Sequence, residues 1–339
     1  MIGFRQVVVL PAALLLAACG DARLPEFELS GSAMGTTFNV VLVAPGDGIA
    51  GAPLESQIAA TLSGVDELTS TWRADSELAV FNANPATDWI RVSAELCSAI
   101  EHALEISRLS DGAFDVTIGP LVNLWGFGPG GDIRKPPDHS LIEETMAYVG
   151  YEGLQTRCSE PAMRKRHGGM YVDLSGWAKG HAVDKVAELL DEYGLRDYLV
   201  EIGGELRVRG HNAEGRKWAI AVEAPSTTTR RPHSVLRVTD TSVATSGDYR
   251  NYFDHDGQRY SHTIDARTGR PVAHDLAAVT VVSESAAWAD AMATALLVLG
   301  PESGLALAEN LGIAGYFLVR NDTGIEELTT TSFELLRHP

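Results

Sequence analysis

The stretch Asp173-Leu-Ser-Gly-Trp-Ala-Lys-Gly-His-Ala-Val-Asp184 joins an apolar run, 170–172, to an amphipathic run that continues to Tyr193. The pattern predicts a strand ending at Asp173, a glycine-bearing loop, and a helix opened by Lys179. Ser175, Gly176 and Gly180 allow close backbone approach, and a helix N-terminus with a lysine beside it is an anion site. The plain alternative is a strand–loop–helix joint with glycine for packing and lysine in solvent. A second run, Asp290-Ala-Met-Ala-Thr294, lies in a helical pattern over 285–299 that Ser283 or Ser285 can cap. Asp290 and Thr294 are four apart and share one face. A carboxylate and a hydroxyl near backbone carbonyls suit Mg²⁺, a hard cation that prefers oxygen and keeps several waters. The alternative there is a solvated Asp and a Thr bonded back to its own helix.

Working outward, a strand pair is expected at 27–29 and 36–43, and helices at 54–68, 93–109, 141–149 and 180–193. Residues 123–137, rich in Gly and Pro, read as an ordered loop. Strands are expected at 197–202, 205–209, 218–222, 234–238, 242–246, 279–282 and 316–319. Arg267-Thr268-Gly269-Arg270 reads as a hairpin turn with the glycine supplying positive φ. Strands and helices mixed without strict alternation imply an α+β fold with mainly antiparallel sheets and packed helices. No internal repeat or low-complexity tract appears.

Arg5 is the only charge before Asp21, and an apolar run over 7–18 follows it, too short to span a bilayer as a mature helix. Leu16-Ala17-Ala18-Cys19 resembles a bacterial lipobox, which implies cleavage before Cys19 and lipidation of its thiol; an ordinary signal peptide with an incidental cysteine is the alternative. Residues 20–25 read as a tether, and no other segment is expected to cross a membrane. The address implied is the bacterial cell envelope, lipid-anchored and facing the periplasm, with the choice of membrane left open. Losing residues 1–18, and with them Arg5, takes the formal charge from −18 to −19. So acidic a surface argues against nucleic acid and anionic lipid headgroups as partners, so a phosphorylated ligand needs local cations or a metal. Cys97 falls in a helical pattern and Cys158 in a strand-like one; pairing in an oxidising compartment and two separate buried thiols both stand. No Cys-x-x-Cys or His pair with a third ligand supports zinc or thiol chemistry.

Three weaker signals remain. Glu201-Ile-Gly-Gly-Glu205 is a double glycine between strands, a bend or a place where a flat ligand touches backbone. Trp72 stands in a polar loop after a helix, where it packs or stacks on a ring, and His262 has a polar neighbourhood in Ser261-His-Thr-Ile-Asp265. Together with Gly31-Ser-Ala-Met-Gly-Thr-Thr37, Thr71 to Asn82, Asp111-Gly-Ala-Phe-Asp-Val-Thr-Ile-Gly-Pro120, Leu124-Trp-Gly-Phe-Gly128, Ala244-Thr-Ser-Gly-Asp-Tyr-Arg250, 262–271 and 289–294, these motifs fall in one order. That order, over nearly the whole mature chain, resembles the FAD:protein FMN transferases, the ApbE family, many of them periplasmic lipoproteins.

The resemblance implies an ApbE-like, T-fold-related architecture, with a signal peptide at 1–18, a lipidated cysteine and tether at 19–26, and a flavin transferase domain at 27–339. It implies FAD as substrate, Mg²⁺ as cofactor, and transfer of FMN to a Ser or Thr hydroxyl of an exported protein, with release of AMP. Acceptors in the family are typically subunits of membrane redox complexes. Carried over, the metal ligands are Asp290, Thr294 and the carbonyl of Gly176. FAD contacts are Met34, Trp72, Trp125, Gly126, Phe127, Asp173, Lys179, His262, Thr263 and Ile264, and His262 or the metal-adjacent Asp290 takes the acceptor proton. Two rivals share these motifs: an FAD pyrophosphatase releasing FMN and AMP, and a non-catalytic flavin-binding carrier lipoprotein.

Overall fold

Asp184, at the end of the deciding stretch, reaches across the molecule and caps another helix, and the layers assemble around that joint. The structure, a computed structural model, describes residues 23–44, 51–131, 135–225, 231–249 and 251–337. The expected signal peptide, Cys19 and the first half of the tether, residues 20–22, lie outside the described residues. In chain order the first half holds β1 (Glu26–Ala33), β2 (Thr36–Val43), α1 (Ala52–Thr69), α2 (Glu77–Ala83), β3 (Ile90–Arg91), α3 (Ala94–Leu109), α4 (Gly119–Leu124), α5 (His139–Met146), β4 (Leu154–Arg157), β5 (Ala162–Lys165) and α6 (Ala178–Glu192). The second half holds β6 (Tyr198–Ile202), β7 (Glu205–Arg209), β8 (Trp218–Glu223), β9 (Pro232–Val238), β10 (Thr241–Gly247), β11 (Tyr252–His255), β12 (Gln258–Ser261), β13 (Ile264–Asp265), β14 (Arg270–Pro271), β15 (Leu276–Ser283), α7 (Ala286–Asn310), β16 (Ala314–Asn321), β17 (Gly324–Thr329) and α8 (Thr331–Arg337).

Eight strands form one sheet in the order β1-β2-β6-β7-β10-β15-β16-β17, every neighbouring pair antiparallel. The α+β, mainly antiparallel expectation is therefore met. One face is covered by α1, α6 and α7, with Leu54, Ile58, Val183, Val186 and Leu190 packed on Val40 and Val200. The hairpin β8–β9 and α8 cover the other, with Trp218, Ile220, Leu236 and Phe333 against Val208, Val243 and Tyr316. Burial on both faces explains why β15 is apolar almost throughout rather than alternating.

β15 runs along β10 from Ser242 to Gly247, whereas β7 pairs only with Thr241–Val243. Beyond Val243 the sheet opens, and Thr245, Ser246 and Gly247 face a cavity.

α7 extends the expected 285–299 helix to Asn310 through a kink at Gly300 (φ 80°), where Pro301 removes an amide donor. Its length and a mean hydropathy of 1.5 over its most apolar 18 residues are those of a membrane span, which corrects the expectation that no other segment could cross a membrane. The helix is nonetheless core, its Ala-rich flank lying on β10 and β15. Ser285, not Ser283, is its N-cap, accepting from the Trp288 amide. Asp184 adds a second cap from α6. It accepts from the amides of Ala286 and Ala287, each at 3.0 Å, and from the Ser285 hydroxyl at 2.8 Å, and it pairs with Arg207 at 2.9 Å.

Three local expectations change. Residues 170–172 make no strand: a single parallel bridge joins Tyr171 to Ile118, and Asn82 supplies the missing partner, its amide donating to Val172 O and accepting from Val172 N, both at 2.8 Å. Residues 123–137 are less loop-like at their start, because α4 runs to Leu124. Cys158 sits in the turn after β4 and not in a strand, and it forms a disulfide with Cys97 of α3, Cα–Cα 5.6 Å.

Candidate active site

Where the sheet opens, a cavity of about 700 Å³ collects side chains from segments far apart in sequence. That volume is in the range of pockets that hold small-molecule ligands. One wall carries the two runs that opened the sequence reading. Asp290, on the second turn of α7, is 3% exposed, and its Oδ2 accepts from the Gly180 amide at 3.1 Å. The helices approach this closely because residue 180 lacks a side chain: a Cβ there would lie 2.2 Å from Ala286 O. Thr294, one turn on, shares a hydrogen bond of 3.0 Å with the Ser246 hydroxyl of β10. The backbone of Gly176 lies against it, since a Cβ on Gly176 would stand 3.2 Å from Thr294 Oγ1.

Lys179 joins this carboxylate to another. Its Nζ lies 3.4 Å from Asp290 Oδ2 and 3.1 Å from Glu205 Oε1, with Glu205 itself 3% exposed. Burial opposes the lysine charge, but the two carboxylates more than offset it and hold Lys179 protonated above the ordinary lysine range. Burial pushes the Glu205 carboxyl up, against the pull of Lys179. The double glycine between β6 and β7 makes room for this group: Gly203 (φ 65°) passes the lysine stem so closely that a Cβ would meet Lys179 Cδ at 3.2 Å. The sequence left a bend or a ligand contact open there, and did not point to Glu205 as a partner of Lys179. Asp173, at the mouth of the loop, accepts from the Ser175 amide at 2.8 Å and so shapes the turn into α6.

The opposite side of the cavity is aromatic. Trp72 is 67% exposed, in a turn where the Ser70 hydroxyl accepts from the amides of Trp72 and Arg73. Phe127 stacks on Phe253 (centroids 5.7 Å) and meets His262 edge-on at 6.3 Å. His262 Nδ1 lies 3.0 Å from Asn251 O, which assigns it as the N–H donor and leaves Nε2 free to accept. Burial, with the nearby Lys179 charge, lowers the His262 pKa and favours the neutral ring.

Of the residues expected at the site, Trp72, Phe127, Asp173, Gly176, Lys179, His262, Thr263, Ile264, Asp290 and Thr294 line this one cavity, while Met34, Trp125 and Gly126 do not. Met34 (φ 51°) turns the β1–β2 hairpin and packs on the core. Trp125 is buried, its indole donating to Gly269 O at 2.9 Å, so it fastens the β13–β14 turn rather than facing a ligand. Asp115 is likewise an anchor: its carboxylate accepts from the Thr117 and Tyr151 amides. Glu205, Ser246, Thr36 and Thr37 line the cavity without having been expected there.

Among the described residues no three His, Cys, Asp or Glu side chains converge, so the protein offers no complete cage. One buried carboxylate, one hydroxyl and an adjacent glycine backbone do fit Mg²⁺, which takes few protein oxygens and fills the rest with water and ligand phosphates.

The family model described as the ApbE family matches residues 34–317. The FAD:protein FMN transferase of Vibrio cholerae is 41% identical over 329 residues, 97% of this chain and 97% of that protein. That of Haemophilus influenzae is 39% identical over 335 residues, covering 97% and 96%. Among solved structures, the flavin transferase ApbE from Vibrio cholerae aligns with a TM-score of 0.85 at 39% identity, covering 92% of this chain and 99% of that one. The apo form of the Pseudomonas stutzeri flavinyl transferase ApbE gives 0.84 at 40% identity, covering 92% and 97%. By sequence over nearly its whole length and by fold, this chain belongs to the ApbE family.

Proposed function

We propose that this protein transfers the FMN half of FAD to a Ser or Thr hydroxyl of an exported acceptor protein, with Mg²⁺ bound and AMP released. The observation that carries this reading is the meeting of Asp290, Thr294, Gly176 and Lys179 in one cavity that also holds His262 and Trp72. Family membership supplies the reaction class, since the relatives are named FAD:protein FMN transferases. Asp290, Thr294 and the Gly176 carbonyl would hold the metal, which when bound offsets negative charge on the pyrophosphate during transfer.

The chain's own groups do the rest. Lys179 supplies a positive charge in the cavity for the ligand's phosphates. Trp72, exposed at the cavity wall, stacks on the isoalloxazine, with Phe127 as the packed wall behind His262. The acceptor oxygen attacks the FMN-side phosphorus as the bond to the AMP phosphate oxygen breaks. The hydroxyl proton passes to His262 Nε2, the ring nitrogen left free by the Asn251 contact, and AMP departs with the electron pair of the broken bond. Cys19 carries the lipid anchor in this reading, which places the domain at the periplasmic side of the envelope, beside acceptor subunits of membrane redox complexes.

The test is mass spectrometry of an exported flavoprotein subunit after incubation with the protein, FAD and Mg²⁺, with an EDTA control. A metal-dependent gain of one FMN on Ser or Thr, with AMP released, is the expected result. AMP and free FMN with two different acceptors left bare identify a pyrophosphatase instead. FAD intact in both tubes refutes the enzyme and leaves a flavin carrier.

A further inference from the structure

Glu205 is buried in the cavity wall, yet only one of its oxygens is used. Oε1 receives Lys179 at 3.1 Å, while Oε2 is buried without a hydrogen-bond partner. A buried carboxylate oxygen left unpaired is costly, so a fold retains one where a second state pairs it. The neighbouring geometry supplies that state. Lys179 also touches Asp290, at 3.4 and 3.5 Å, longer than its contact with Glu205. Asp290 does not depend on the lysine for its position, because the Gly180 amide holds Oδ2. Gly203 has no side chain to wedge against the lysine stem, since a Cβ there would stand 3.2 Å from Lys179 Cδ.

We propose that Glu205 is the standby partner of Lys179: its Oε2 receives the ammonium when Asp290 gives up the lysine to take a divalent cation. The inference rests on the reading of Asp290 as a cation ligand. It makes Glu205 a positioning residue, which touches neither cation nor reacting atoms. Lys179 thus serves as counterion of the metal-free site and, once displaced, remains in the cavity beside the phosphates rather than leaving for solvent.

The experiment is a Mn²⁺ titration of the full chain, without flavin or acceptor, followed by electron paramagnetic resonance. Wild type, E205Q, K179M and the double variant are compared. With the charge of Glu205 gone, release of Lys179 from Asp290 is uncompensated, so E205Q weakens Mn²⁺ binding roughly tenfold, the weight of one hydrogen bond to a charged group. K179M does not weaken it, and in that background E205Q changes affinity by less than about twofold, because the effect runs through the lysine. Equal weakening in both backgrounds overturns the proposal, since Glu205 then acts on the cation itself. Absence of Mn²⁺ binding in wild type overturns the cation reading of Asp290 along with it, a different failure. If E205Q does not fold, E205D, with the charge on a shorter arm, takes its place with an intermediate loss expected. A crystal structure with Mn²⁺ bound adds a direct readout. Lys179 Nζ on both Glu205 oxygens and away from Asp290 is expected; Nζ still on Asp290, or Glu205 on the metal, refutes the exchange.

Discussion

Replacing Asp184 with alanine is the sharpest test of how the fold builds its site. The carboxylate accepts from two α7 amides, the Ser285 hydroxyl and Arg207, all at 2.8–3.0 Å. Loss of a helix cap costs about 0.5–2 kcal/mol, and loss of a partly buried negative charge at a helix N-terminus adds up to about 2 kcal/mol. Breaking the ion pair adds about 1 kcal/mol, well below the cost of a fully buried pair, because Arg207 keeps access to water. The sum is about 2–5 kcal/mol. With an unfolding entropy of roughly 0.6 kcal/mol/K for about 300 residues, the expected fall in Tm is about 3–8 °C. Differential scanning calorimetry measures it, and Asp184→Asn, which keeps an acceptor but not the charge, should fall about halfway. Turnover should drop as well, because the joint sets Gly180 against Asp290. A Tm lowered by less than about 2 °C in Asp184→Ala would refute the view that this carboxylate holds α6 to α7.

Trp72→Ala should leave Tm unchanged, because the side chain is 67% exposed, while weakening FAD binding about three- to tenfold by fluorescence titration; unaltered affinity removes the stacking role. Cys97→Ser or Cys158→Ser opens a loop of 61 residues' separation and should cost about 4 kcal/mol in the chain-entropy estimate, read from denaturant midpoints with and without reductant; a shift under about 1 kcal/mol contradicts it. His181 stacks on Trp177 at 4.4 Å, and burial lowers its pKa to about 4. The unfolded chain, with an ordinary imidazole, then binds the extra proton first, so stability is lost as pH falls from about 6.5 to about 4. That loss amounts to about 3 kcal/mol, and His181→Gln should flatten this limb of the urea-denaturation profile; an unchanged limb assigns it to other groups.

The elements legible in the sequence are those with a local cause. Regular apolar spacing marks α1, α3 and α6, and the glycine of 267–270 marks the β13–β14 turn, where Gly269 has φ 70°. Asp290 and Thr294 were readable as one helix face, and Lys179 as a cation at a helix start. The features that escaped depend on partners distant in the chain. No rule of spacing couples Asp184 to a helix that begins about a hundred residues later, nor reveals that Asn82 stands in for a strand beside Val172. Glu205 reads as the far side of a glycine bend until β7 places it against Lys179. The Trp-Gly-Phe motif at 125–127 divides its labour, with Trp125 fixing the turn at Gly269 and Phe127 facing the cavity. Aromatic residue type does not distinguish the two.

The strand order carries a consequence for how the chain is made. β1 and β2 form a local hairpin, but the free edge of β2 is covered only when β6 arrives, joining Val40 to Val200 across nearly half the chain. During synthesis the earliest hairpin thus waits about 155 residues for its sheet neighbour, and such long-range closure slows folding. The cavity draws on β2, the α6 loop, β7, β10 and α7 alike, so no partial product of folding owns enough of it to hold a ligand. A ligand that fills this cavity therefore binds only the finished state, and draws the assembled sheet and α7 together by mass action.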